Sequence, residues 1–184
     1  MKILIVSGFL GAGKTTFIKR LARNVDQRFA ILENEYGAAG IDGARLGQNR
    51  QGTQKNVWEM TEQCICCIGK KDFAASVLTI ANVVDPEYLI VEPTGVGSLA
   101  RIIENLRQIE YERIQLLSPV TIVDVYSYRR YMAEYPELYQ DQIRSADTII
   151  VSKTEACQAE EKQRIQKFLQ EINSQAKIIT DYAS

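Results

Sequence analysis

The chain has 184 residues, 46% of them hydrophobic and 24% charged, with a formal net charge of −1. That size and balance predict one globular domain with a substantial core, spanning residues 1–184. The near-neutral charge offers no basic field for nucleic acid or an anionic membrane surface, and no apolar run approaches the roughly 20 residues that span a bilayer.

In chain order, Ile3, Leu4, Ile5 and Val6 are a short apolar run that predicts a buried strand. They lead into residues 8–16, Gly-Phe-Leu-Gly-Ala-Gly-Lys-Thr-Thr, which match G-x-x-x-x-G-K-[ST] with Gly8, Gly13, Lys14 and Thr15 in the fixed places. Phe17, Ile18, Leu21, Ala22 and Val25 then follow at helical spacing. Strand, glycine loop and helix in that order make a phosphate cradle, a P-loop. Glycines let the backbone N–H groups approach phosphate oxygens, and the helix N-terminus adds unpaired donors and the positive end of its dipole. Lys14 places a point charge on the β- and γ-phosphates, and the Thr15 hydroxyl can ligate Mg²⁺.

Residues 29–32 read as a second strand that runs into residues 33–37, Glu-Asn-Glu-Tyr-Gly. Residues 38–55 are Gly-rich and polar with no period. A loop of that length in a compact domain is functional or disordered, and nucleotide exchange is a reason for it to move. Residues 57–60 predict a short strand ahead of Cys64, Cys66 and Cys67. Phe73, Val77, Leu78, Ala81 and Val84 mark a helix, and residues 88–91 a strand ending at Glu92-Pro-Thr-Gly95. Leu99, Ile102, Ile103 and Leu106 recur at i, i+3, i+4 and i+7, an amphipathic helix.

Residues 120–123 predict the next strand, with Asp124 at its end. Residues 126–145 look helical with an interruption near Pro136. Their tyrosines, at 126, 128, 131, 135 and 139, fit ordinary packing better than a partner-facing patch. Residues 148–151 are a strand ending at Ser152-Lys153-Thr154-Glu155. Ile165, Phe168, Leu169 and Ile172 share a helix face, and residues 177–180 are a last short strand. The alternation predicts a three-layer α/β fold with a mainly parallel sheet and helices on both faces. Such folds bind ligands beyond the C-terminal strand ends, where residues 8–16, 33–37, 92–95 and 152–155 all fall.

Cys64, Cys66 and Cys67 are the second chemical feature. The chain has no histidine, so a transition-metal site must use sulfur and oxygen. Residues 1–7 read as a strand rather than a secretory leader, so a cytoplasmic location is expected. There thiols serve as ligands or stay free more often than they form disulfides. Thiolates are soft donors suited to Zn²⁺ or Cu(I). A tetrahedral zinc site takes four ligands, so three thiols leave a place for a carboxylate, water, a partner's residue or a transferable ligand. An incomplete site suits a carrier better than a structural role. Cys157 is either a remote fourth ligand or a small packed residue, the commoner case. Packed thiols or a redox pair are the alternatives for the triplet.

The P-loop, Glu33-Asn-Glu-Tyr-Gly37, Cys64-x-Cys66-Cys67 and Glu92-x-Thr-Gly95, in that order, resemble the CobW-type GTPases. Those are metallochaperone relatives of the nickel-insertion GTPases of urease and hydrogenase maturation, and the resemblance covers essentially the whole chain. It implies a P-loop NTPase fold and GTP hydrolysis coupled to binding or delivery of a thiolate-bound metal ion. Zn²⁺ is the first expectation, with Co²⁺ or a corrinoid-related role open. It also implies that Gly8, Gly11, Ala12, Gly13, Lys14, Thr15 and Thr16 hold the phosphates and that Thr15 ligates Mg²⁺. Glu92 would stand near Mg²⁺, through water, and Gly95 would offer its backbone N–H to the γ-phosphate. Glu33 and Glu35 would reach Mg²⁺, the attacking water or the thiol-bound metal, with plain surface carboxylates as the alternative. The catalytic set would be Lys14, Glu92, Gly95 and Glu35.

The chain departs from the family's pattern at the base-recognition motif, usually Asn-Lys-x-Asp. Ser152, Lys153 and Glu155 would take that part here. Glu155 still accepts from guanine but with one more methylene, and Ser152 lacks the Asn side chain, so the expected guanine preference is weakened. Ala38-Ala39 stand where some relatives carry a further carboxylate. The family's usual C-terminal domain, often with a His-rich segment, is not among these residues. The partner implied is a client metalloprotein or a corrinoid-pathway protein, and a homodimer stays open. Two other readings compete. One is a P-loop small-molecule kinase, for which only the Arg129-Arg130 pair offers acceptor-site arginines. The other is a non-enzymatic regulator that binds nucleotide and zinc.

Overall fold

The computed structural model describes residues 1–24, 28–33, 57–61 and 70–181. Cys64, Cys66, Cys67, Glu35 and the loop of residues 38–55 lie outside the described residues. The elements are β1 (Lys2–Gly8), α1 (Lys14–Asn24), β2 (Phe29–Glu33), β3 (Val57–Thr61), α2 (Lys70–Val83), β4 (Tyr88–Glu92) and α3 (Leu99–Arg107), then β5 (Gln115–Leu116), β6 (Val120–Asp124), α4 (Tyr128–Glu134), α5 (Pro136–Arg144), β7 (Thr148–Ser152), α6 (Ala159–Ile172) and β8 (Lys177–Ile179).

The strands form one sheet in the order β3-β2-β4-β1-β6-β7-β8, with β5 also beside β1, and all these pairings are parallel. β5 has only two residues, too few to show a period, which is why the sequence did not predict it. Parallel strands buried on both faces must be apolar throughout. Leu89, Ile90 and Val91 of β4 and Ile149, Ile150 and Val151 of β7 are accordingly all buried.

Alternate residues of each strand feed different layers. Ile3, Ile5, Leu89 and Val91 pack against Phe73 and Val77 of α2 and Leu99, Ile102 and Leu106 of α3. On the same face, Val123, Ile149 and Val151 pack under Tyr139 and Ile143 of α5 and Ile165 and Leu169 of α6. Val6, Ile31, Ile90 and Ile122 face the other way, onto Ile18 and Ala22 of α1. Right-handed crossovers explain the split. The chain moves one way along the sheet through α1 and the other way through α2, α3, α5 and α6. Helices therefore cover both faces, and β1 stands at the centre where the direction of winding reverses. Ligand clefts open at such a point.

Pro136 does not break a longer helix at random. It opens α5 in the first turn, where its missing N–H is harmless. Tyr128, Tyr131 and Tyr139 are buried, in line with the packing expected of them, whereas Tyr126 and Tyr135 are exposed. Among the described residues, no helix is long and apolar enough to cross a membrane.

Candidate nucleotide site

The P-loop joins β1 to α1 at the sheet centre. Gly8 has φ of 144°, and a Cβ there would lie 2.4 Å from the Ile122 carbonyl oxygen of β6, so no other residue fits. Phe9 turns inward and packs on Tyr131 (centroids 4.7 Å apart) and Tyr139 (5.1 Å). The Tyr131 hydroxyl donates to the Leu10 carbonyl at 2.9 Å. The variable positions of the motif thus fasten the loop to α4 and α5, while Gly11, Ala12 and Gly13 lead into α1.

Lys14 is buried. Its Nζ donates to the carbonyls of Gly8 (2.9 Å) and Phe9 (3.4 Å). Burial pushes its pKa below the usual lysine value, and the nearby Glu92 carboxylate opposes that only in part. An ammonium whose burial outweighs its neighbouring counter-charge has reason to accept an anion.

The Thr15 hydroxyl donates to Glu92 at the end of β4, at 3.2 Å to Oε1 and 3.5 Å to Oε2. Glu33 ends β2 in direct register with Glu92. Leu10, Gly11, Lys14, Thr15, Glu33, Glu92, Pro93, Thr94, Gly95 and Val96 line one open cleft of about 510 Å³. The donors around Thr15 are a hydroxyl and carboxylates, a hard oxygen set that fits Mg²⁺, which keeps several waters and leans on phosphate oxygens. Among the described residues no group of three His, Cys, Asp or Glu gathers into an all-protein metal cage.

Residues 92–98 carry the chain from β4 over the P-loop to α3. Gly95 is pressed onto it: a Cβ would lie 2.7 Å from the Leu10 nitrogen and 3.0 Å from the Phe9 carbonyl carbon. The Ser98 side chain caps α3 by accepting from Arg101 N (3.3 Å).

Residues 152–155, expected to meet the base, lie on the other side. The Ser152 hydroxyl donates to the Ala12 carbonyl at 2.6 Å and approaches that of Val123 at 3.4 Å. A serine thus ties this segment to the P-loop. The expectation that Ser152 simply loses a contact overlooked this bond. Lys153 has φ of 60° and pairs with Asp124 Oδ2 at 2.8 Å, while Asp124 Oδ1 accepts from Tyr126 N at 2.9 Å. Thr154 is buried, and Glu155 and Thr16 are exposed.

The structure therefore gathers Lys14, Thr15, Glu33, Glu92 and Gly95 around one cleft, with Ser152 tied to the P-loop at Ala12 and Lys153 paired with Asp124. Sequence reasoning missed Asp124, Tyr131, Asp141 and Gln142. Only Asp124, a carboxylate at a strand end, carried a visible signal.

The family model for the CobW/HypB/UreG nucleotide-binding domain matches residues 2–180. The chain belongs to this family. Among CobW/HypB/UreG relatives, the zinc chaperone YeiR of Escherichia coli K12 is 30% identical over 178 residues, 95% of this chain and 53% of that protein. The zinc chaperone CobW of Pseudomonas aeruginosa is 27% identical over 90% of this chain and 52% of its own length. The chain spans about half the length of these relatives. In fold it is similar to the Zn(II)-bound YjiA GTPase from E. coli, with a TM-score of 0.73 and 21% identity over 100% of this chain and 58% of that one. HypB from Helicobacter pylori in complex with nickel shares the fold at a TM-score of 0.63 and 18% identity, over 96% of this chain and 76% of that one.

Proposed function

We propose that this CobW/HypB/UreG domain hydrolyses GTP and couples its nucleotide state to binding or delivery of a metal ion, zinc first. The observation that carries the reading is the contact of the Thr15 hydroxyl with the Glu92 carboxylate at the mouth of the Lys14 cradle. Thr15 and Glu92 would hold Mg²⁺ beside the β- and γ-phosphates, where the ion would offset phosphate charge. Lys14 would hold the β/γ bridge, and the cleft face of residues 94–96 would meet the γ-phosphate. Ser152, Lys153 and Glu155 would contact the guanine, and Glu33 and Glu35 would orient water or metal.

Cys64, Cys66 and Cys67 would carry the metal as cargo, in the cytoplasm where thiols stay reduced, for hand-over to a client metalloprotein. The names of the relatives favour zinc over cobalt. They also favour a carrier over the kinase reading, whose arginines are engaged elsewhere. Arg129 pairs with Glu161 at 3.1 Å, and Arg130 lies over the Tyr131 ring at 4.7 Å.

The test is zinc affinity measured with GDP, with a non-hydrolysable GTP analogue and without nucleotide, alongside phosphate release. Intrinsic turnover is expected in the slow range of switch GTPases, ~10⁻⁴ to 10⁻² s⁻¹. Any tightening of zinc by the GTP analogue must be matched by an equal tightening of the analogue by zinc. Equal zinc affinity in all three states sinks the coupling, and faster turnover of ATP than GTP sinks the assignment of the base.

A further inference from the structure

We infer that Gln142 of α5 is a positioning residue that holds residues 94–98 closed on the P-loop and aims the Val96 N–H into the nucleotide cleft. The inference rests on the hydrolytic reading above for its kinetic consequence, but not for its geometry. Gln142 is 1% exposed, and its Nε2 donates to two carbonyls at once, Gly95 O at 3.1 Å and Gly97 O at 3.0 Å. Its neighbour Asp141 reaches the far end of the same segment. Asp141 Oδ2 accepts from Leu99 N at 2.7 Å and Ala100 N at 3.4 Å, the first turn of α3. Two adjacent residues of α5 thus grip both ends of a segment from which they are separated by more than 40 residues of chain.

The grip is anchored. The Gln142 carbonyl accepts from the Thr121 hydroxyl of β6 at 2.9 Å, which fixes the helix to a central strand. One turn earlier, Tyr139 packs on Phe9 of the P-loop. The same stretch of α5 therefore touches the P-loop and the segment that lies over it.

The direction of the bond matters. The backbone contains no cis peptide among the described residues. In a planar trans peptide the N–H points opposite to the C=O. With the Gly95 carbonyl turned to Gln142, the Val96 N–H of that peptide points away from Gln142, and Gly95 and Val96 both line the cleft. Gln142 thus sets the orientation of a donor on the cleft wall without itself lining the cleft.

An apolar side chain of the same length would keep the packing of Gln142 but could not hold the two carbonyls.

Gln142→Met makes this substitution, keeping the volume and deleting both donors. The variant leaves the Gly95 and Gly97 carbonyls without that donor, so it is expected to fold but to melt somewhat below the parent chain. Its affinity for GDP, which has no γ-phosphate, should stay within about twofold, whereas its affinity for a non-hydrolysable GTP analogue and its kcat should each fall tenfold or more. Gln142→Asn, shorter but still a donor, should recover part of both. Amide exchange at residues 95–100 of the nucleotide-free protein, read separately, should quicken in Gln142→Met. A parent chain that hydrolyses no GTP would defeat the hydrolytic reading, and the exchange rates would then decide alone whether Gln142 holds the segment. Unchanged exchange, or equal losses of GDP and GTP-analogue affinity, overturns the inference.

Discussion

Residues 92–98 and residues 152–155 both rest on the P-loop, from opposite sides of β1, and they are held in different ways. On the base side the tie is short and local. A single hydroxyl, Ser152, reaches Ala12 at 2.6 Å from the end of a strand already fixed in register with β6. On the Glu92 side the segment leaves its strand; Gln142 of α5 takes its Gly95 and Gly97 carbonyls, and Asp141 takes the Leu99 and Ala100 amides just beyond it. The close approach to the P-loop there is steric, at Gly95. Under the proposed function, residues 152–155 would meet a base that is present whatever the phosphate count, so their pocket would gain from rigidity. Residues 92–98 would meet a γ-phosphate that comes and goes, so their contacts would have to release.

The largest blow to both sides at once is Lys14→Ala. Phosphate binding underlies both regions, so turnover should drop by roughly 10³-fold, in line with removing a charge-stabilising donor, and both nucleotides should bind weakly. Unchanged turnover would place hydrolysis elsewhere. The pH dependence has a definite sign. Phosphate raises the pKa of Lys14, which burial lowers in the free protein, so binding takes up a proton at alkaline pH. Affinity should hold steady below the depressed pKa and fall as pH rises through it. Calorimetry across buffers of different ionisation heat should see that proton, and Lys14→Met should lose the effect.

The two sides separate at smaller scale. Gly95→Ala forces a Cβ to within 2.7 Å of the Leu10 nitrogen and must lift the phosphate-side segment. A displacement on the order of 1 Å can lower turnover about 10²-fold. The loss of GTP-analogue affinity should exceed the loss for GDP, and a uniform loss would erase the distinction between the two regions. Ser152→Ala should do the reverse. Deleting that hydrogen bond should cost about 1 kcal/mol and weaken GDP and GTP analogue alike, near fivefold. A selective loss of the GTP analogue would show that the base side also senses the γ-phosphate.

The sequence revealed most where function is local in the chain. The P-loop needs its glycines, Lys14 and Thr15 within nine residues, and the strand before it and helix after it are strongly patterned. The role of Glu92 came from the resemblance to the CobW-type GTPases, and the strand pattern itself showed only that a carboxylate follows an apolar run. The parts that were not legible depend on pairings distant in sequence. Gln142 and Asp141 sit on an amphipathic helix among polar neighbours, and no period distinguishes a glutamine that turns inward from one that faces water. Tyr131 read correctly as a packed ring, but nothing in the pattern announced that its hydroxyl would hold the P-loop at Leu10. Ser152 has the look of a lost asparagine in the sequence, and only the fold brings its hydroxyl onto Ala12.

Lys153 is an expensive residue for the place it occupies. With φ of 60° it sits where a side chain is disfavoured by roughly 1–2 kcal/mol and where glycine would be at ease. Its ion pair with Asp124 joins a half-exposed ammonium to a carboxylate that is only 8% exposed. Glycine would relieve the backbone but leave that buried carboxylate without its counter-ion, a larger loss. The strained turn after β7 is therefore held by a charge at the end of β6, and the two strand ends are fixed as one unit.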